Sequence, residues 1–220
     1  MESKTLGELM SFNLNQIDEY MLALIVNAKA LLKESEVLFE HKAFARSYTL
    51  SHIAREEIVM SKILYATALR MASGIDVDWK MTMKRLQDHQ LKLKQEITEN
   101  SILAALLEGQ GDFIKMAGSM TVLPHQAHNM KSHSLYVDIA VDGEMSDPRK
   151  VISKRLAERN IELACHAIDE EASAQAKIRK LSTLKDRKRA DSPAANNMSF
   201  EDKKALIKNV VSFLVKHSEQ

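Results

Sequence analysis

The stretch LNQIDEYMLALIVNAKALLKESEVLF, residues 14–39, decides the fold. Apolar or small residues recur in it at Ile17, Met21, Leu24, Ala28, Leu31, Ser35 and Leu38. Steps alternating between four and three draw a single stripe along a helix of about 3.6 residues per turn. From about Ala43 to Ala72 the same spacing returns as Leu50, Ala54, Glu57, Ser61, Leu64, Ala68 and Met71. A short turn near Glu40 to Lys42 would join the two as an antiparallel pair. Composition agrees with helix throughout. Six Gly and three Pro in 220 residues are few, where average usage would give roughly 15 and 11. Strands joined by turns draw heavily on those residues, so an all-β fold is excluded.

Outward from this pair the chain reads as one domain over residues 1–220, all-α, with the first three helices in 14–110. Asp76 or Asp78 caps the third helix, whose stripe of Trp79, Met83, Leu86, Leu93 and Ile97 runs on to the Gly109–Gly111 stop. Residues 112–147 form an irregular insert. Its SLYVDIAVDG, Ser134 to Gly143, is the one extended segment expected. Asp147-Pro148 opens a fourth helix over 148–189, proline being suited to a first helical turn. After a linker at 191–198, Ser199 to Asp202 resembles a capping box opening a C-terminal helix over 199–218.

Thirty-one basic residues against 30 acidic ones leave a net charge of +1, which excludes a strongly basic polyanion binder but not a local patch. One cysteine excludes a disulfide framework, and Cys165 reads as a packed thiol. No apolar run approaches the roughly 20 residues that span a bilayer, and the opening MESKTLGELMSFNLNQ lacks the apolar core of a signal peptide. No membrane association is expected, and the expected compartment is the cytoplasm.

Several polar residues fall on stripes that should be buried. Glu57 stands between Ala54 and Ser61, where a carboxylate must be paired, hydrogen-bonded or protonated. It is either a structural tie between elements, a catalytic group, or a partly exposed residue displaced by helix phase. His89 lies between Leu86 and Leu93, with Lys92 one turn on and Arg85 one turn before. A buried His89 paired with a buried Glu57 would account for both. On the period of two, Tyr136 and Asp138 share one side of the extended segment and could reach polar groups on the helices. With no HExxH or Glu-x-x-His pair, no metal is assigned, and no cofactor is expected.

The fourth helix carries Arg155, Arg159, Glu162, His166 and Asp169. This is either a solvated charged stripe or half of a ribonuclease site. In the second reading His166 is the acid or base and Arg159 steadies phosphate charge. Arg85 with His89 is an alternative pair. Arg46 and His52 are six apart and point to different faces.

NAKALLKESEVL, FARSYTLSHIAREEIVMSK, DHQLKLKQ and SLYVD followed by DP, in that order, resemble the AbiV-type abortive-infection proteins of bacteria. The likeness covers roughly Asn27 to Val151. It rests on Glu56, Glu57 and Lys62, on His89 and Lys92, and on Leu135 to Asp138. Two departures stand out. Ile58-Val59-Met60-Ser61 replaces an expected Gly-Lys, and Lys131-Ser-His133 stands where an Arg often precedes Leu-Tyr-Val-Asp. The resemblance implies a HEPN-like antiparallel helical bundle and a phage-defence role. The chain would be a toxin kept quiet until a phage protein triggers it, which then halts gene expression. It also implies a homodimer, since many of that group are metal-independent ribonucleases acting as dimers. Their Arg-x(4–6)-His motif is best matched by Arg159-Asn160 and His166. The alternative is a non-enzymatic helical module that blocks the translation machinery or a phage protein.

Overall fold

The computed structural model describes residues 11–93, 95–96, 129–139, 143, 145–177 and 180–183. Helix α1, Leu14–Glu40, opens on a reciprocal capping box: the Asn13 side chain accepts from the Gln16 N–H while the Gln16 side chain accepts from the Asn13 N–H, each at 2.9 Å. Its stripe is the one read from sequence, with Ile17, Met21, Leu24, Ala28 and Ser35 buried. The helix ends in a Schellman turn. Lys42 takes φ of +60° while its N–H reaches Phe39 O and the Ala43 N–H reaches Leu38 O. Helix α2, Phe44–Ala72, then returns antiparallel along α1, so that Ser35 meets Ser47 and Asn27 meets Glu57.

Helix α2 is buried on more than one side. Besides Ala54, Ser61, Leu64 and Ala68, a second stripe of Ala45, Thr49, His52, Glu56, Val59, Ile63 and Thr67 is buried. The reason is that α2 is the central helix of the bundle. Alongside α1 it packs against a long later helix, whose Asn160 bonds Ser51 and whose Glu171 bonds Ser61, so the two run parallel. The apolar core divides into three clusters along this axis: Ile17, Leu24, Ile63 and Leu64 at one end, Ala28, Ile58 and Ile168 in the middle, and Tyr48 with Ile152 at the other.

Two expected helices are interrupted. Helix α3, Trp79–Gln87, is capped by Asp78, as the sequence suggested. It stops at Asp88, whose backbone is extended and whose carboxylate accepts from the Gln90 and Leu91 N–H groups, restarting helix at 89–93 in a new direction. The expected continuation to residue 110 lies largely outside the described residues, as do residues 112–128 of the insert. Of the insert that is described, 129–135 is helical, so Ser134 and Leu135 are not extended. The strands are short: β1, Asp138–Ile139, pairs antiparallel with β2, Met145–Ser146.

Asp147 caps α4, Pro148–Val151, with Pro148 in its first turn. The fourth helix then breaks, because Ile152 is extended, and resumes as α5, Lys154–Lys177, the long helix packed on α2. A 3-10 turn, Leu181–Thr183, follows, its first two N–H groups held by the Asp18 carboxylate at 3.0 Å each. Residues 184–189 and the expected C-terminal helix at 199–218 lie outside the described residues.

Candidate functional site

Three separate pieces of chain meet at one carboxylate on the second stripe of α2. It belongs to Glu56, not Glu57. The Glu56 side chain is 4% exposed. Its Oε2 accepts from His89 Nδ1 at 2.7 Å and lies 3.7 Å from Lys92 Nζ. Its Oε1 accepts from Lys131 Nζ at 2.8 Å and lies 3.5 Å from Nε2 of His52 on the preceding turn. The restarted helix at 89–93 brings His89 and Lys92 in on one face, three residues apart. The helical turn at 129–135 brings Lys131, and is pinned to α2 by Ser134 to Thr49 and by Arg46 to the Leu135 carbonyl.

The electrostatics follow from this enclosure. Burial alone would push the Glu56 carboxyl up, but His52 and Lys131 together outweigh it and hold the group far below the usual carboxylate range. Burial pulls His52 down, disfavouring its charged form, and does the same to the Lys92 ammonium. His52 is fully buried against the Tyr48 ring, and neither of its ring nitrogens has a hydrogen-bond partner. Its link to Glu56 is therefore a charge–dipole contact, not a formed bond. An ionised carboxylate only accepts, so Nδ1 carries the hydrogen that faces Glu56, and in the neutral tautomer Nε2 is then the proton-free nitrogen. The His89 side chain is half exposed, which puts that free nitrogen within reach of solvent. The adjacent Lys131 Nζ, 3.4 Å from Nδ1, contributes charge to the same edge. A carboxylate-oriented imidazole beside an ammonium can take up and return a proton next to an anion.

A second tier steadies α2 behind the site. Arg55 bonds Glu96 at 2.7 Å on one side and Asn160 of α5 on the other, and Asn160 donates to the Tyr48 carbonyl and to Ser51 Oγ.

Of the residues singled out from the sequence, His89 and Lys92 are in the cluster. Glu57 is half-buried and accepts from Asn27 at 3.1 Å; adjacent helix positions diverge by about 100°, which turns it toward α1. Tyr136 is exposed, and the Asp138 carboxylate accepts from the next residue's own N–H. Arg85 is exposed and donates to Gln95. Arg159 and His166 lie on the exposed side of α5, where His166 Nδ1 is 3.5 Å from Glu170. Cys165 is exposed rather than packed, and burial together with Asp169 raises its thiol pKa. His52 and Lys131 were missed. His52 was legible as part of the second α2 stripe, in steps of four and three through Thr49, His52, Glu56, Val59 and Ile63. Nothing in the local pattern marks Lys131. Among the described residues no cluster of His, Cys, Asp and Glu could hold a metal, and no helix is long and apolar enough to cross a membrane.

A central helix flanked by two long ones, with a buried carboxylate that gathers basic side chains from two later segments, defines a class of all-α bundle with a polar centre. The HEPN_AbiV family model, described as AbiV, matches residues 16–169, well over half of the chain. The chain belongs to this family. No curated relative and no solved structure matches it.

Proposed function

We propose that this chain is a bacterial abortive-infection effector. It answers phage infection by shutting down gene expression, and does so as a metal-independent ribonuclease. Membership of the AbiV family supports the defence role. The single observation that supports the chemistry is the 2.7 Å bond from His89 to Glu56, which fixes the imidazole with Nε2 outward. In this mechanism Nε2 takes the proton of an RNA 2′-hydroxyl. The 2′-oxygen attacks the adjacent phosphorus, the P–O5′ bond breaks, and a 2′,3′-cyclic phosphate and a 5′-hydroxyl result. The leaving oxygen takes its proton from water, and the hydroxide so formed takes back the proton that Nε2 had accepted. Lys131 offsets the charge gathering on phosphate. The effector works in the cytoplasm as a homodimer, released by a phage-encoded trigger protein.

A second reading rests on the exposure of Arg159 and His166 on one side of α5. There, a partner copy would complete the Arg/His pair. Single-site variants separate the two. Purified wild type should cleave single-stranded RNA, His89→Ala should lower the rate by about 10²- to 10⁴-fold, and His166→Ala should leave it within about twofold. The reverse ranking would move the chemistry to α5. Intact RNA in cells arrested by the wild type would favour a non-enzymatic binder of the translation machinery or a phage protein.

A further inference from the structure

One end of the bundle holds a cavity of about 420 Å³ that takes no part in the Glu56 cluster. Its walls come from the α1–α2 turn, from the chain just after the Lys131 helix, and from α4. Its lining includes three cations, Lys42, Arg46 and Arg149, and one carboxylate, Asp147. Arg149 donates to Asp147 through Nε at 3.1 Å and Nη2 at 2.7 Å, and Asp147 caps the Arg149 N–H at 2.9 Å, so those two charges cancel and the net positive charge comes from Lys42 and Arg46. Among the described residues Arg46 makes one hydrogen bond, to the Leu135 carbonyl at 2.9 Å, of the five N–H donors a guanidinium has. The apolar part of the lining includes Phe44, Leu135 and Val137; Val137 is 63% exposed, and the Phe44 ring also packs on Phe39 with centroids 5.3 Å apart.

Lys42 holds the left-handed position of the Schellman turn at φ of +60°, where glycine is favoured. The cavity is also tied to the candidate catalytic edge. The helical turn at 129–135 puts Lys131 on Glu56 at one end and Leu135 in the cavity wall at the other. Along α2, Arg46 and Glu56 are ten residues apart, a rise of about 15 Å.

We infer that this cavity is a subsite for one nucleotide of single-stranded RNA. The base lies against the apolar lining of Phe44, Leu135 and Val137, and the phosphate lies by Lys42 and Arg46. A cavity of this size suits a small ligand, and stacking on an aromatic beside cations is how single strands are held without sequence preference. An acidic peptide would match the cations alone, whereas a nucleotide matches cations and apolar lining together. The inference rests on the ribonuclease reading for its biological sense, but its test does not.

The probe is a fluorescent eight-nucleotide RNA with 2′-fluoro groups, which cannot attack its own phosphates, titrated against the full chain by anisotropy. Lys42→Gly removes a charge and puts the favoured residue at the left-handed position. It should therefore raise the melting temperature while weakening binding about threefold or more. Lys42→Gly combined with Arg46→Gln should weaken binding at least tenfold and flatten the salt dependence, since log Kd shifts by roughly 0.7 per log unit of salt for each phosphate that the protein neutralises. A 4-thiouracil version should crosslink to the peptide containing Phe44 or Val137. Unchanged affinity in the double variant, or crosslinks confined to other surfaces, would overturn the subsite. If unmodified RNA is still cut in that case, only the subsite has failed. If the RNA binds in the cavity but no RNA is ever cut, the subsite stands and the ribonuclease reading falls. Polyglutamate binding in place of RNA would overturn the inference in favour of an acidic protein partner.

Discussion

The Glu56–His89 centre and the Arg159–His166 face each set a histidine beside a glutamate, in opposite physical settings. At the first, the carboxylate is almost wholly enclosed and held at 2.7 and 2.8 Å by partners from two distant segments. At the second, His166 and Glu170 are one turn apart on a single helix, 3.5 Å from each other, with side chains 72% and 47% exposed. Water screens both members of the second pair but at the first reaches only the half-exposed His89 ring and scarcely the carboxylate, so the same two residue types have different strengths and different freedom. Enclosure fixes one imidazole by its tautomer and position, while the other is free to turn. The contrast also places the cost. The first site must stay paired or the bundle loosens; the second can be altered with little effect on the fold.

The strongest way to break this contrast is to remove the central carboxylate. Glu56→Leu leaves Lys92 and Lys131 partly enclosed without their shared carboxylate and removes the ties of His89, Lys92 and Lys131 to α2, while Ser134 to Thr49 and Arg46 to Leu135 still hold the 129–135 turn. A loss of about 3–5 kcal/mol is expected, as for other buried pairs stripped of one partner. Glu57→Leu forfeits only the bond from Asn27 and should cost less than about 1 kcal/mol. Urea unfolding of both variants measures the gap. Equal costs would mean that the enclosed network is not what ties the two segments to α2.

That neighbouring glutamates differ so much also marks the limit of what the sequence made legible. The α1 stripe, the Asp78 and Asp147 caps and the antiparallel α1–α2 pair are local features, set by spacing and capping chemistry within a few residues. Each could be read directly. Glu57 was chosen from a single α2 stripe, on the premise that a helix buries one face. Helix α2 buries two, because α1 and α5 pack it from different directions, and the second stripe carries His52 and Glu56. His89 and Lys92 were legible as polar intrusions in an apolar pattern. Lys131 was marked only by the family resemblance, as a basic residue before Leu-Tyr-Val-Asp; it reaches Glu56 across 75 residues of chain, and its own neighbours set no periodicity. The breaks at Asp88 and Ile152 escaped notice for a related reason. Neither is a glycine or proline, and each is an extended residue beside a capping side chain, Asp88 for the segment after it and Ser153 for α5.

A gentler way to sharpen the contrast is acid. His52 is pulled below its ordinary value by burial, so the unfolded chain binds its proton more readily and stability should begin to fall as pH drops below about 6.5. Glu56 is held far below its ordinary value of 4.5, so its contribution is complete above that pH and is lost progressively as pH falls toward the folded-state value. Lys92, lowered by burial, acts in the same direction at the alkaline end, where stability rises with pH. Urea midpoints should therefore fall in two stages, the first setting in as pH drops through about 6.5 and the second below about 4.5. His52→Leu should remove the first stage and spare the second. A midpoint that holds level across the first stage in the wild type would show that His52 is not buried in its neutral form.

The smallest expected effect tests the exposed side. A double-mutant cycle on His166 and Glu170 should give a coupling of no more than about 0.5 kcal/mol at about pH 6, the usual worth of an exposed pair one turn apart. The same cycle on Lys131 and Glu56 should exceed about 1.5 kcal/mol, because that pair is mostly out of water. Running the first cycle at several protein concentrations adds a diagnostic. If a second copy covers α5, the His166–Glu170 coupling will grow with concentration as water is excluded, and the two histidine sites will converge in character. A coupling that stays small and independent of concentration keeps α5 solvated and leaves a two-copy Arg159–His166 site without the enclosure its chemistry requires.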